Sequence, residues 1–317
     1  MLAALITTPG RPPVMADRER PSARAGHVLI EVTAAPITPL DILCASGTSY
    51  FGVPSTPYVP GVQGVGTADG SPVWFATTAG MAAGDGSMAE TVCVPAEDVV
   101  PLPEDVSAVA IAALGLSAVA AYMALTLRGG LAAGQRVIVL GAGGVVGQAA
   151  VQLARLAGAD RVVAGARSPA AQARALEAGA DAVVALDTDD VPALAARFAE
   201  SAQGPVDLVL DPLFGAPAAA AARTLRPGGR LVNLGSSAAQ TCPIDSATLR
   251  SGSLQILGYT NNELPPSQRA LALRTIASHA AAGRLRVAHE TVPLAESSRA
   301  WTRQAEGQAA GRIVLVP

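Results

Sequence analysis

Between residues 136 and 168 the chain runs from a short apolar stretch through clustered glycines into an amphipathic stretch, and then into a second apolar run: RVIVLGAGGVVGQAAVQLARLAGADRVVAGARS. Residues 137–140 are the uninterrupted, β-branched strand expected in a parallel sheet covered on both faces. Val146, Ala149, Ala150, Leu153 and Leu156 recur at helical spacing, and Gly158 ends that helix before a strand over 161–164. The same alternation continues downstream, with strands expected over 182–184, 207–210, 230–234 and 254–259. Helices are expected between them over 169–177, 191–202 and 216–225. Six strands interleaved with helices predict an α/β fold built on a doubly wound parallel sheet.

Upstream the texture differs. Residues 1–100 are rich in Pro, Gly, Thr and Val, with strands expected over 2–7, 27–34, 61–67, 73–75 and 90–95 between turn clusters, as in a small β-rich barrel. Residues 108–127 read as one or two helices. The tail is expected to hold a helix over 267–282, a strand over 288–292, a helix near 295–306 and a last strand over 312–316. This divides the chain into a first domain over 1–114, a nucleotide domain over 115–260, and a return to the first domain over 261–317.

Glycines 141, 144 and 147 follow a strand and precede a helix, spaced G-x-x-G-x-x-G, one residue longer than the usual dinucleotide fingerprint. In that context they let the backbone approach a pyrophosphate, with Gly147 opening a helix whose first N–H groups, near Val145 and Val146, face the anion. An NAD site carries an acidic residue about 20 residues on, to accept from the ribose hydroxyls. Here residues 164–168 read AGARS, without a carboxylate, and Arg167 lies 20 residues beyond Gly147. Arg167 and Ser168 suit a 2′-phosphate, which favours NADPH; the other reading is an exposed loop arginine before the helix at Pro169. Asn233, Gly235 and Ser236 end one strand and Tyr259 ends the next, placing them at the carboxyl edge where a nicotinamide is expected.

Composition narrows the classes. The 317 residues are 50% hydrophobic and 15% charged, enough for two cores, and the net charge is −3 with scattered arginines, so no nucleic-acid partner is expected. All 22 basic residues are arginine, which removes lysine chemistry. Three well-separated cysteines, Cys44, Cys93 and Cys242, suggest no disulfide framework and a cytoplasmic setting. No export signal is read at the N-terminus. Mean hydropathy is +0.37, inflated by alanine, and no apolar run is expected to reach the length of a membrane span.

Several segments together resemble the medium-chain dehydrogenase/reductase superfamily, in its zinc-independent quinone oxidoreductase and enoyl reductase branch. They are AAPITPLDI (34–42), VPGVQGVG (59–66), GSMAETVCVP (86–95), the strand ending at Asp211, and PGGRLVNLG (227–235), in the family's order over nearly the whole chain. The resemblance implies a GroES-like β-rich catalytic domain made from both chain ends, a Rossmann NADPH domain, substrate between them, and a homodimer paired through the last strand of the sheet.

The zinc ligands of metal-dependent relatives are replaced near Thr38 and in Gly61-Val62-Gln63-Gly64. Three isolated histidines and three isolated cysteines give no ligand spacing, so no metal site is expected. The resemblance also singles out Thr38 and Tyr50 as catalytic candidates. Thr38 and Asp41 lie in the segment that faces the cofactor, with Asp41 otherwise a helix cap. Tyr50 is a proton donor or, with Phe51, apolar pocket lining. Arg312 stands where relatives carry a cation near the cofactor, the other reading being a solvated arginine at a strand start. Cys44 reads as a buried apolar cysteine.

Without a Lewis acid the chemistry suits an acceptor that delocalises its own charge. Hydride from NADPH added to a quinone or to the β-carbon of an enone needs only hydrogen-bond donors and a proton. The expected activity is NADPH-dependent reduction of quinones or α,β-unsaturated carbonyl compounds. The alternatives are an enoyl-thioester reductase, with Arg18, Arg20 and Arg24 as a basic entrance, and a non-catalytic NADPH-binding redox sensor.

Overall fold

The computed structural model describes all 317 residues and divides them into two compact units, residues 1–115 with 266–317, and residues 116–265. In the first unit β1 (Leu2–Leu5) and β2 (Val14–Asp17) form an antiparallel pair. The main sheet is organised by β3 (His27–Pro36), whose ten residues pair with three other strands in succession. Ile30, Val32 and Ala34 turn inward at the two-residue period while Glu31 and Thr33 face out, the alternation of a half-buried antiparallel strand. After β3 come helix α1 (Pro39–Ser46), then β4 (Gln63–Ala68), β5 (Ser71–Ala76), β6 (Thr91–Pro95) and β7 (Val99–Pro101).

Helix α2 (Ala108–Met123) continues as a π-helical turn over Ala124–Arg128. It is interrupted at Gly115, whose φ of 28° and ψ of −131° lie outside helical geometry and where a Cβ would stand 2.0 Å from the Gln63 side-chain oxygen. The stretch Ala108–Arg128 corrects one expectation, because its 21 residues are long and apolar enough to cross a bilayer. The glycine that made the run look broken is passed through by a kink. In its most apolar window 61% is buried inside the protein, as in a core helix.

The second unit alternates β8 (Arg136–Leu140), α3 (Val145–Leu156), β9 (Arg161–Ala166), α4 (Pro169–Glu177), β10 (Ala182–Ala185), α5 (Val191–Ala202), β11 (Val206–Asp211), α6 (Gly215–Ala222), β12 (Leu225–Asn233), α7 (Ser246–Gly252) and β13 (Gln255–Gly258). All six strands are parallel, in the order β10-β9-β8-β11-β12-β13. The order reverses between β8 and β11, which opens a crevice at their carboxyl ends. Ile138, Leu140, Val163, Phe198, Val209 and Leu231 fill the core.

The chain then returns to the first unit with α8 (Pro266–Ala281), β14 (His289–Pro293), α9 (Ser297–Ala305) and β15 (Arg312–Val316), β15 pairing with β3. The return falls at Pro266 rather than at 261. Asn261 Nδ2 donates to Leu116 O at 2.8 Å, holding that residue within the second unit, and Pro266 opens the next helix. Strands β2 and β7 and helix α7 were not anticipated. Strand β12 begins at Leu225, inside an expected helix end, because Pro227-Gly228-Gly229 reads as a turn but runs within a strand whose register against β11 is irregular.

Candidate active site

Helix α3 opens at Val145, two residues before Gly147. Gly144 is its N-cap, with extended backbone (φ −80°, ψ 169°) and no side-chain cap, so the first N–H groups, of Val145, Val146 and Gly147, are left at the carboxyl edge of the sheet for an outside acceptor. Gly147 has a different task from opening the helix. A Cβ there would lie 2.4 Å from both Ala142 Cα and Gly141 O, so only glycine lets the helix start pack onto the turn.

At the end of β9, Arg167 is exposed and its guanidinium makes no hydrogen bond or ion pair. Ser168 caps α4, its Oγ accepting from Ala171 N at 3.2 Å while its own hydrogen stays available. No carboxylate stands between Gly165 and Arg174.

Across the switch point the side chains brace one another. Asp211, fully buried at the end of β11, accepts from Leu213 N (2.9 Å) and Phe214 N (2.8 Å) through Oδ1 and from Asn233 Nδ2 (2.9 Å) through Oδ2. Burial pushes its carboxyl up, against those three hydrogen bonds. The donated bonds hold Phe214 at φ 60°, ψ −165°, a backbone conformation that costs about 1–3 kcal/mol for a bulky residue.

Asn233 Nδ2 also donates to Gly235 O at 2.8 Å, so its amide is a brace between two loops rather than a free donor. A Cβ at Gly141 would meet Leu213 and Pro212, which brings the 212–215 loop beside the glycine turn. Gly235 also lies against Pro212 O, and Ser236 follows it, partly exposed. Tyr259 donates its hydroxyl to Asn261 Oδ1 at 2.7 Å and its backbone N–H to Asn233 O, while burial lifts the phenol to about 12. Sequence reasoning did not assign Asp211 to the site. Its signal was a carboxylate directly following the apolar, buried residues 208–210.

The first unit gathers Thr38, Asp41 and Arg312. Asp41 Oδ2 accepts from Thr38 N (2.7 Å) and Thr38 Oγ (2.6 Å), and Oδ1 accepts from Val62 N (2.8 Å); Thr38 Oγ in turn accepts from Asp41 N, completing a capping box on α1. Burial raises the Asp41 carboxyl, against these bonds and the Arg312 charge. Arg312 is not solvated: it is 3% exposed, its Nη1 donates to Ile37 O at 2.8 Å, and burial draws the guanidinium down to about 10 against the pull of Asp41. Asp41 therefore does cap its helix, and Thr38 has its only hydroxyl hydrogen committed to it.

Tyr50 joins neither centre. It is 76% exposed, with its ring tilted against Phe51 at 4.3 Å between centroids. The buried phenol is Tyr58, beside Cys44 and Gly80. Burial raises both groups, Cys44 to about 11, so Cys44 is a neutral thiol and no nucleophile.

Residues 145–278 match the family described as zinc-binding dehydrogenase. The quinone oxidoreductase from Thermus thermophilus, also solved in complex with NADPH, is 31% identical with a TM-score of 0.82, covering 100% of both chains. A phenolphthiocerol/phthiocerol polyketide synthase of Mycobacterium tuberculosis is 30% identical over 321 residues, 98% of this chain and 14% of that one. Synaptic vesicle membrane protein VAT-1 homolog of Homo sapiens is 31% identical over 235 residues, 70% of this chain and 57% of that one. The chain thus spans only a small part of the polyketide synthase and just over half of the human relative. It belongs to the medium-chain dehydrogenase/reductase superfamily, in its quinone oxidoreductase-like branch.

Zinc, named in the family's description, does not fit the residues present. No three His, Cys, Asp or Glu side chains come together in an arrangement that could hold the ion. A dinucleotide does fit, because the α3 N-terminus has no side-chain cap and the glycines bring its backbone up to the turn.

Proposed function

We propose that the chain is an NADPH-dependent reductase of quinones or α,β-unsaturated carbonyl compounds. The observation that carries the reading is the pairing of an uncapped α3 N-terminus with an unpaired Arg167 where NAD sites carry an acid. Gly144, Val145, Val146 and Gly147 would hold the pyrophosphate, and Arg167 and Ser168 the 2′-phosphate. Bound NADPH supplies a hydride to the acceptor. The Asp211 and Asn233 brace fixes the loops beside the glycine turn, and Asp41 keeps Thr38 and the Val62 backbone in place. Solvent delivers the proton in this reading, since Thr38 has none to give and Tyr50 stands exposed.

NADPH oxidation measured across quinones, enones, enoyl thioesters and aldehydes, with and without chelator, tests the proposal. Turnover with conjugated acceptors that chelator leaves unchanged is the expected result, and turnover lost to chelator would overturn it. Tight coenzyme binding with no acceptor oxidising it would identify a redox sensor instead.

The polyketide synthase alignment favours a second reading, an enoyl-thioester reductase. Against it, Arg18 pairs with Asp85 and Arg20 with Glu31, which neutralises most of the expected basic entrance. A homodimer through the open edge of β13, where Gln255 and Ile256 are exposed, belongs to the same proposal, as does a cytoplasmic setting for three free cysteines. Light scattering should give twice the chain mass; a monomer would reject the dimer.

A further inference from the structure

Within the glycine turn, the carbonyl of buried Gly143 accepts two side-chain hydrogen bonds. One comes from Gln148 Nε2 at 2.9 Å and the other from Arg174 Nε at 3.0 Å, reaching across from α4. The turn rests on that helix, because a Cβ at Gly143 would meet Ala171 Cβ at 2.3 Å. Arg174 follows Ala171 by three residues and so shares its face. Long helical side chains lie back over the preceding turn, which carries this guanidinium past the small Ala171 toward the start of α4, where Ser168 caps the helix and Arg167 precedes it.

Arg174 is half-buried, and its two terminal nitrogens make no hydrogen bond or ion pair within the protein. A half-buried cation fixed by Nε with both Nη groups unused is arranged for an external anion.

We propose that Arg174 is a second specificity residue for the coenzyme: Nε locks Gly143 while the Nη groups share the adenosine 2′-phosphate with Arg167. This rests on the NADPH reading. It makes discrimination a property of two arginines flanking a helix start, one exposed and adaptable, the other anchored to the turn that receives the pyrophosphate.

Titration calorimetry with adenosine 2′,5′-bisphosphate and with ADP, on wild type, Arg167→Ala, Arg174→Ala and Arg174→Gln, tests it without turnover. Arg174→Gln retains part of the side-chain stem should Arg174→Ala fail to fold, and circular dichroism verifies each variant. Both Arg174 variants should weaken the bisphosphate about 10- to 100-fold more than ADP. Equal weakening of the two ligands, or none, would overturn the proposal by leaving Arg174 a brace of Gly143 alone. If wild type binds both ligands equally, the NADPH reading itself falls; if Arg167→Ala discriminates and the Arg174 variants do not, that reading stands and only this inference fails.

Discussion

The Val145, Val146 and Gly147 N–H groups and the Arg167 guanidinium have no protein partner, whereas Thr38 and Asp41 bond one another and Arg312 beside them donates to Ile37 O. The first arrangement is unfinished without an anion. The second is a buried cluster already met within the protein, Asp41 accepting from Thr38 and Val62 and Arg312 donating to Ile37 O. Proximity of polar residues in the fold therefore does not by itself mark where a ligand goes; unmet hydrogen-bonding capacity does.

Asp41→Ala should break the contrast most severely. It leaves the buried Thr38 and Val62 N–H groups without their acceptor and removes a counter-charge to Arg312, a loss of about 3–5 kcal/mol by denaturant titration. Binding of adenosine phosphates should be unchanged in whatever protein remains folded. Arg167→Ala should do the reverse: midpoint of unfolding unaltered, NADPH affinity down about tenfold by fluorescence titration, NADH affinity unaltered. An equal loss for the two coenzymes would remove Arg167 from phosphate recognition.

Tyr50→Phe is expected to hold kcat within about threefold. A fall of about 100-fold or more in steady-state turnover would assign proton delivery to this phenol.

The smallest effect lies remote from both centres. Asp245 caps α7 by accepting from Thr248, which lowers its carboxyl to about 2. A depressed carboxylate pKa contributes stability that is present above the ordinary value of 3.8 and is lost as pH falls through about 2. Melting temperatures of wild type and Asp245→Asn should differ slightly at pH 6 and converge near pH 2. A gap that widens on acidification would contradict the cap's role.

The parallel sheet and its glycine turn were legible because each step is local: an apolar strand, a glycine cluster, a helical period. Even so, the start of α3 was displaced by two residues, since G-x-x-G-x-x-G does not say which glycine caps and which makes room. The second centre was less readable. Arg312 meets Ile37 across 275 residues of sequence, so nothing near it could distinguish a buried guanidinium from a solvated one. Asp211 was visible only as the end of a strand, because its partners lie in the next loop and on a neighbouring strand. The arginines at 18 and 20 looked like a basic cluster until Asp85 and Glu31, far along the chain, were found against them. Arg174 was invisible for the same reason: its partner Gly143 sits on another element.

The kink at Gly115 has a bearing on how the chain would respond to a protease. The first passage between the units runs through a mostly buried helix, with residues 111–115 and 118–119 shielded, and the second passes through exposed Pro265 and Pro266, a poor substrate for most endopeptidases. No pliant tether is offered for cleavage, so limited digestion should nick surface loops within a unit before it releases either half.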